Sequence, residues 1–244
     1  MIANPALRLV EAQWLNLVRT PAYTLPTLLF PVMFYGFFGL VMLPGQSLPL
    51  LCTFATFGVM GAALFSFGVG IALERAQGWL LLLRASPAPV YAVIVGKAFG
   101  ALLFALAIVV MMSALAGAFG GVRLHTHQWL ALAAVLTVGA LPFCLMGLAL
   151  GLWLEPKAAP AVVNILYLPL GFLSGLWIPA SQFPPLLQDL AGWLPPYHLA
   201  ALALDVTGAR PADWPVALAH LGVFTLACGA ATVIGWRRLD GAQR

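Results

Sequence analysis

Residues 23–43 read YTLPTLLFPVMFYGFFGLVML, residues 44–49 read PGQSLP, and residues 50–73 read LLCTFATFGVMGAALFSFGVGIAL. They belong to a stretch of 54 residues, between Arg19 and Glu74, that contains no charged side chain. One helix of that length would measure about 81 Å at 1.5 Å per residue, whereas the hydrocarbon core of a bilayer is about 30 Å thick. The proline-containing stretch 44–49 therefore predicts a turn that joins two membrane-spanning helices.

The rest of the chain repeats this pattern of apolar stretches between charges. Four further charge-free stretches have 23 to 31 residues each, and a spanning helix needs roughly 20 apolar residues. Of the 244 residues, 63% are apolar and 7% are charged, whereas a soluble domain has about 25% charged residues. The sequence therefore predicts an all-α, polytopic membrane protein, with residues 1–244 forming a single transmembrane domain. The six predicted membrane-spanning helices cover about residues 23–43, 50–73, 98–119, 129–154, 159–177 and 214–236.

The distribution of Lys and Arg predicts the orientation, because cytoplasmic loops retain an excess of positive charge. With a cytoplasmic N-terminus, nine of the 11 basic residues lie on the inner side and two, Arg123 and Arg210, lie on the outer side. Both termini are therefore predicted to be cytoplasmic. The pI near 9.3 follows from this asymmetry, so we do not predict nucleic-acid binding.

Three segments outside the spans have recognisable patterns. Residues 1–20 predict an amphipathic interfacial helix, with Arg8 and Arg19 on its polar side and Trp14 in its apolar stripe. Residues 74–87 predict a short cytoplasmic helix, whose run of leucines would rest on the membrane surface or dock onto a partner protein. Residues 179–214 are divided by prolines into pieces too short to span, which predicts re-entrant half-helices on the outer side.

The sequence lacks the residues that several kinds of chemistry require. No phosphate-binding loop is present, and the predicted span centres contain no Asp, Glu, Lys or Arg for ion coupling. His125 and His127 lack a nearby third ligand, so we predict no metal site. One enzymatic alternative remains, a hydrolase on the outer side that combines Ser174 or Ser181 with His198 and with Asp189 or Asp205.

Two stretches in this layout resemble a known family. The first reads ERAQG (74–78), LRASP (83–87) and GK (96–97). The second follows Asn164 and reads SGLWIP (174–179), FP (183–184) and LPPY (194–197). These two stretches, in this order along a chain with six predicted spans, resemble the ABC type-2 transporter permeases. Such permeases are the membrane subunits of ATP-binding-cassette exporters.

The resemblance implies a permease that forms the translocation path of an efflux system in the bacterial cytoplasmic (inner) membrane. Its partners would be a separate ABC ATPase subunit in two copies, a second permease subunit expected to be identical, and the lipid bilayer. The chain would not be an enzyme by itself and would bind no cofactor directly, because ATP-Mg would sit on the ATPase. The residues imply a hydrophobic, amphipathic, lipid-like or glycan substrate. A non-transporting membrane scaffold that recruits a soluble partner remains the alternative.

The resemblance also implies roles for individual residues. Those expected to couple to the ATPase are Glu74, Arg75, Gly78, Leu83, Arg84 and Pro87, together with the interfacial helix of Arg8, Trp14 and Arg19. Those expected to line the translocation path are Thr53, Thr56, Ser66, Asn164, Tyr167 and Ser174. Those expected to form an outer gate are Pro179, Phe183, Trp193 and Tyr197.

Overall fold

The computed structural model describes residues 29–78 and 90–241, and all regular structure in these ranges is helical. The helices are α1 (Leu29–Met42), α2 (Ser47–Ala76), α3 (Val90–Phe119), α4 (Thr126–Trp153), α5 (Ala159–Leu173), α6 (Pro185–Trp193), α7 (Pro195–Val206) and α8 (Trp214–Gly241). The predicted interfacial helix of residues 1–20, with Arg8, Trp14 and Arg19, lies outside the described residues.

Four of these helices are long and apolar enough to cross a membrane. They comprise α2, α4, residues Ile94–Phe119 of α3 and residues Trp214–Leu239 of α8. Helices α1 and α5 are apolar but shorter over their described lengths. The chain is thus an all-helical protein with several apolar, membrane-length helices.

Helix α2 lies at the centre of the bundle. It contacts α1, α3, α4, α5 and α7, and 78% of its most apolar window is buried. A helix that is apolar on all sides can be stable only when protein or lipid surrounds it completely. Its core residues include Phe54, Phe57 and Met60, each of which is at most 1% exposed.

A π-helical turn at Phe65–Val69 interrupts α2 where it packs against α4. Opposite this turn lie Gly147 and Gly151, and a Cβ on Gly151 would come within 2.8 Å of the Phe67 carbonyl oxygen. Small residues at this spacing therefore allow the two backbones to approach closely. The similarly spaced Gly117 and Gly121 have no neighbour within 4 Å of a built Cβ.

Helix α4 is broken at Gly139 and Ala140, between its segments Thr126–Val138 and Leu141–Trp153. Pro142 has no N–H to continue the hydrogen-bond ladder. The break also accommodates α7, because a Cβ on Gly139 would collide with a Leu199 methyl carbon.

The predicted helix boundaries need three corrections. Helix α5 ends at Leu173 and not at Trp177, because Gly175 takes up a φ of +73° and turns the chain. Helix α3 begins at Val90 and not at Ala98. Glu74 does not open a new helix: α2 continues through Ala76 and ends at a turn in which Gly78 has a φ of +76°.

Helix α8 is the most exposed long helix of the described chain, with 11% of its most apolar window buried. It packs mainly against the second half of α4 and against α7. The Trp153 indole donates a hydrogen bond to the Ala231 carbonyl over 3.1 Å, and Gly235 leaves room for this indole.

Candidate functional site

Two charged side chains meet where α2 ends and α3 begins. The Lys97 ammonium lies 2.5 Å from Oε1 of Glu74, and their side chains are 6% and 21% exposed. Gly70 leaves space for the lysine, since a Cβ there would lie 3.3 Å from Nζ. A buried charge is tolerated when an opposite charge pairs with it. The pair thus joins α2 to α3 on either side of the segment 79–89.

Arg75 joins the same end of α2 to α4. Its guanidinium donates hydrogen bonds to the backbone carbonyls of Leu152 and Leu154, where α4 ends. The last carbonyls of a helix lack partners within that helix, and a cation also favours the negative end of the helix dipole. We call Glu74, Arg75 and Lys97 the inner polar cluster.

The other predicted coupling residues follow this cluster along the chain. Gly78 forms the turn after α2, with its N–H 3.2 Å from the Arg75 carbonyl oxygen. Leu83, Arg84 and Pro87 lie outside the described residues. On the same side of the bundle, the Arg238 guanidinium stacks over the Trp153 ring at 5.3 Å.

Two of the predicted path residues are packed inside the single chain. Tyr167 of α5 stacks on Phe57 of α2 with ring centroids 4.3 Å apart, and its hydroxyl donates to the Phe57 carbonyl over 3.1 Å. Thr56 is fully buried, and its hydroxyl donates to the Cys52 carbonyl within α2. In this conformation neither residue faces open space, and Tyr167 joins α5 to α2.

Two other predicted path residues are accessible from outside the chain. Ser66 is partly exposed on the π-helical turn of α2. Asn164 is exposed on α5, and its amide donates to the Pro160 carbonyl over 3.2 Å in the same helix.

A cavity of about 240 Å³ brings together the remaining path residues and half of the predicted gate. Thr53 of α2 and Ser174, at the end of α5, line it together with Pro179 and Tyr197. We call this space the outer cavity, because its walls are formed by the segments predicted to lie on the outer side.

The other two gate residues lie outside this cavity. Phe183 is 8% exposed and packs against Phe172 with ring centroids 5.6 Å apart. Trp193 is 72% exposed and contacts the edge of the His220 ring. The predicted gate is therefore divided between the cavity wall, a buried contact that precedes α6, and the exposed end of α6.

The grouping required by the enzymatic alternative does not form among the described residues. Nε2 of His198 lies 2.8 Å from the Gly192 carbonyl oxygen, and its ring stacks on His220 at 4.1 Å. The Asp205 carboxylate accepts hydrogen bonds from the Ala212 N–H and the Trp214 indole.

A metal centre is likewise not assembled in the part of the chain that the structure describes. No three His, Cys, Asp or Glu side chains there are grouped to hold a metal ion. The His125 and His127 rings stack on one another with centroids 5.5 Å apart.

Comparison with known proteins identifies the class of this bundle. Residues 6–206 match the family model described as ABC-2 type transporter. The chain belongs to this family. It is also 25% identical over 224 residues to a protein of Bacillus subtilis (strain 168) that is named as a transport permease, YvfS, and this match covers 88% of the chain and 91% of that protein.

As an ABC-2 type permease, the chain is a transmembrane subunit of a membrane transport system. The systems of this family are ATP-binding-cassette transporters, which include an ATPase partner. In this permease, the outer cavity lies near the beginning of α2 and the inner polar cluster lies near its end.

Sequence reasoning missed Lys97 as a partner of Glu74, and Arg210 and Gln46 as residues of the outer cavity. A signal for Lys97 was present, since a lysine within a long apolar stretch needs a buried counter-charge. Arg210 and Gln46 lie in turns whose folding depends on distant helices, so the local sequence contained no comparable signal.

Proposed function

We propose that this chain is the transmembrane subunit of an ABC exporter, lining the translocation path and transmitting the movement of a separate ATPase. Family membership supports the transport role. We further propose that the transported substrate is hydrophobic, amphipathic, lipid-like or a glycan, and that it is exported. ATP-Mg would bind to the ATPase and not to this chain.

The inner polar cluster is the observation that carries the coupling proposal. Residues 79–89 lie between α2 and α3 in the sequence, and the ion pair between Glu74 and Lys97 joins these two helices. Arg75 extends the connection to α4. A force applied to this segment, including Leu83, Arg84 and Pro87, would move three helices as a unit. Residues 1–20 would receive the same movement at the membrane surface.

The proposed membrane arrangement has six spans, with α1 and α5 added to the four longest helices. Both termini face the cytoplasm of a bacterial cell, and the membrane is its cytoplasmic membrane. A second copy of the chain completes the path, with one ATPase on each copy. The exposed face of α5, which includes Asn164 and Ile165, supports this pairing because it offers an amide within an apolar surface.

Purification in mild detergent from the native membrane tests the proposal. Mass spectrometry with stoichiometry should find an ATPase subunit in a ratio of about one to one with the permease. The reconstituted complex should hydrolyse ATP faster when a transported substrate is present. Purification without any ATPase, or with an unrelated soluble enzyme, would favour the alternative hypothesis of a non-transporting membrane scaffold.

A pair of matched variants tests coupling within that complex. Glu74→Gln should uncouple substrate stimulation from ATP hydrolysis, because it removes the charge that pairs with Lys97. Glu155→Gln changes another acidic residue on the same predicted side, but Glu155 is exposed and lies outside the cluster, so stimulation should persist. Equal stimulation of ATP hydrolysis by substrate in both variants would show that Glu74 has no coupling role.

A further inference from the structure

The outer cavity has mostly apolar walls and one charged residue. Its walls come from the beginning of α2, the turn after α5 and one side of α7, with Leu50, Leu176 and Leu204 among the apolar side chains. Arg210 is the only charged residue among those that line it. The cavity therefore combines an apolar body with a positive charge.

Arg210 is available to a ligand. It is exposed, and no carboxylate of the described residues lies within 4 Å of its guanidinium, the distance required for an ion pair. The neighbouring Asp205 is already engaged, because its two oxygens accept hydrogen bonds over 3.1 Å from the Ala212 N–H and 2.7 Å from the Trp214 indole.

Ser174 is one of several polar residues on the cavity wall, and it is buried. The residue is 1% exposed, and its hydroxyl has no hydrogen-bond partner among the described residues. Buried hydroxyls are normally paired, and a group without a protein partner is explained when a ligand or water completes its bonds. Ser174 and Arg210 thus add an unpaired hydroxyl and an unpaired cation to one cavity.

The volume limits what this cavity can hold. At about 240 Å³ it lies below the roughly 300–1,000 Å³ of pockets that enclose a whole drug-sized ligand. It fits a short amphiphile, or one end of a longer one.

We propose that the outer cavity binds an amphipathic anion, with its apolar chain on the leucine-lined walls and its phosphate or carboxylate group at Arg210 and Ser174. This inference rests on the proposed function, since it assigns a substrate class to the outer end of the path. Among the substrate classes open to this permease, it selects anionic amphiphiles over neutral glycans and cationic compounds.

Isothermal titration of the purified full-length chain in a neutral maltoside detergent tests this site without the ATPase. The probe is octyl phosphate. Octanol and octylammonium have the same alkyl chain but a different charge, and inorganic phosphate has no alkyl chain. We expect octyl phosphate to bind once per chain and about tenfold more tightly than each of the other three.

Two variants and one control assign this binding to the cavity. Arg210→Gln should weaken octyl phosphate binding by about tenfold and leave octanol binding unchanged. Ser174→Ala should weaken it by about threefold without lowering the unfolding temperature, because no hydrogen bond to a described residue is lost. Arg123→Gln removes the other exposed basic residue on the predicted outer side, so it should bind like the unmodified chain.

Unchanged binding in Arg210→Gln, an equal loss in Arg123→Gln, or equal affinity for octanol and octyl phosphate would overturn the assignment. Competition by dioctanoyl phosphatidylglycerol would identify the anion as a lipid. Its failure to compete, with octyl phosphate still bound at Arg210, would identify a smaller amphiphile. Because binding is measured without the ATPase, a positive result together with failed ATPase co-purification would refute only the exporter proposal.

Discussion

At the scale of single residues, the inner polar cluster depends on one carboxylate with two unequal oxygens. Oε1 of Glu74 contacts Lys97, whereas Oε2 is buried without a hydrogen-bond partner among the described residues. The pair is therefore balanced in charge but incomplete in hydrogen bonds. Such an arrangement holds two helices together and remains open to a further donor from a neighbouring segment or subunit.

Removing one partner of this pair should destabilise the protein more than removing both. Glu74→Gln leaves a buried lysine without its counter-charge, at a cost of up to about 3–5 kcal/mol. Adding Lys97→Met should recover much of that loss, because no buried charge then remains. Thermal unfolding of both variants in detergent checks this order, and a double variant less stable than Glu74→Gln would contradict it.

We expect His198 to make the stability of the protein depend on pH. Burial lowers the pKa of this histidine, and the stacked His220 lowers it further, whereas its hydrogen bond to the Gly192 carbonyl acts in the opposite direction. The folded state therefore favours the neutral ring, and stability is lost as the pH falls below the unfolded pKa of about 6.5. The unfolding temperature should drop between pH 7.5 and pH 5.5, and it should drop less in His198→Gln. An equal drop in both proteins would remove this role.

At the scale of helices, the contact between α2 and α4 depends on irregular backbone. The π-helical turn of α2 meets Gly147 and Gly151, and the break in α4 meets Leu199 of α7. Each irregularity lies where another element comes close. This central packing therefore relies on small residues and altered backbone as much as on side-chain volume.

Adding one methyl group at this contact should separate the helices. Gly151→Ala would place Cβ 2.8 Å from the Phe67 carbonyl oxygen, and we expect a destabilisation of about 1–3 kcal/mol. Gly117→Ala makes the same change in α3, where nothing lies within 4 Å, so it should be neutral or slightly stabilising. Thermal unfolding compares the two, and equal values would show that the contact is not tight.

The helices themselves could be predicted from apolar length, because a long charge-free stretch has few alternatives in a bilayer. Their boundaries could not all be predicted. The charge of Lys97 predicts the edge of a span, yet the residue lies inside α3, where Glu74 neutralises it. The polarity of Tyr167 within an apolar span favours a place on the path, whereas its hydroxyl donates a hydrogen bond to a distant carbonyl of α2. Such outcomes depend on contacts between distant parts of the chain, which a single sequence does not display.

At the scale of the whole molecule, the two sites lie at opposite ends of the same central helix. Helix α2 contributes Thr53 to the outer cavity and Glu74 and Arg75 to the inner polar cluster. It also contacts five other helices. A displacement at its inner end therefore has a direct physical route to the cavity.

The predicted orientation can be tested with two exposed positions at opposite ends of the bundle. In a variant without the native cysteines Cys52, Cys144 and Cys228, Arg123→Cys should react with a membrane-impermeant thiol reagent added to intact cells. Lys157→Cys should react only after the cells are permeabilised. Both positions are exposed, so accessibility within the protein does not limit either reaction. The reverse labelling pattern would invert the topology.

The weak burial of α8 has a consequence for how the protein is made. Among the described helices, α8 comes last in the chain, and 11% of its most apolar window is buried. Because Ala217 and Leu221 are its only buried hydrophobic residues, most of the hydrophobic core of the described chain is formed among α1 to α7 and can pack before α8 docks. We therefore expect the docking of α8 onto the second half of α4, where the Trp153 indole bonds to the Ala231 carbonyl, to be a late step of assembly.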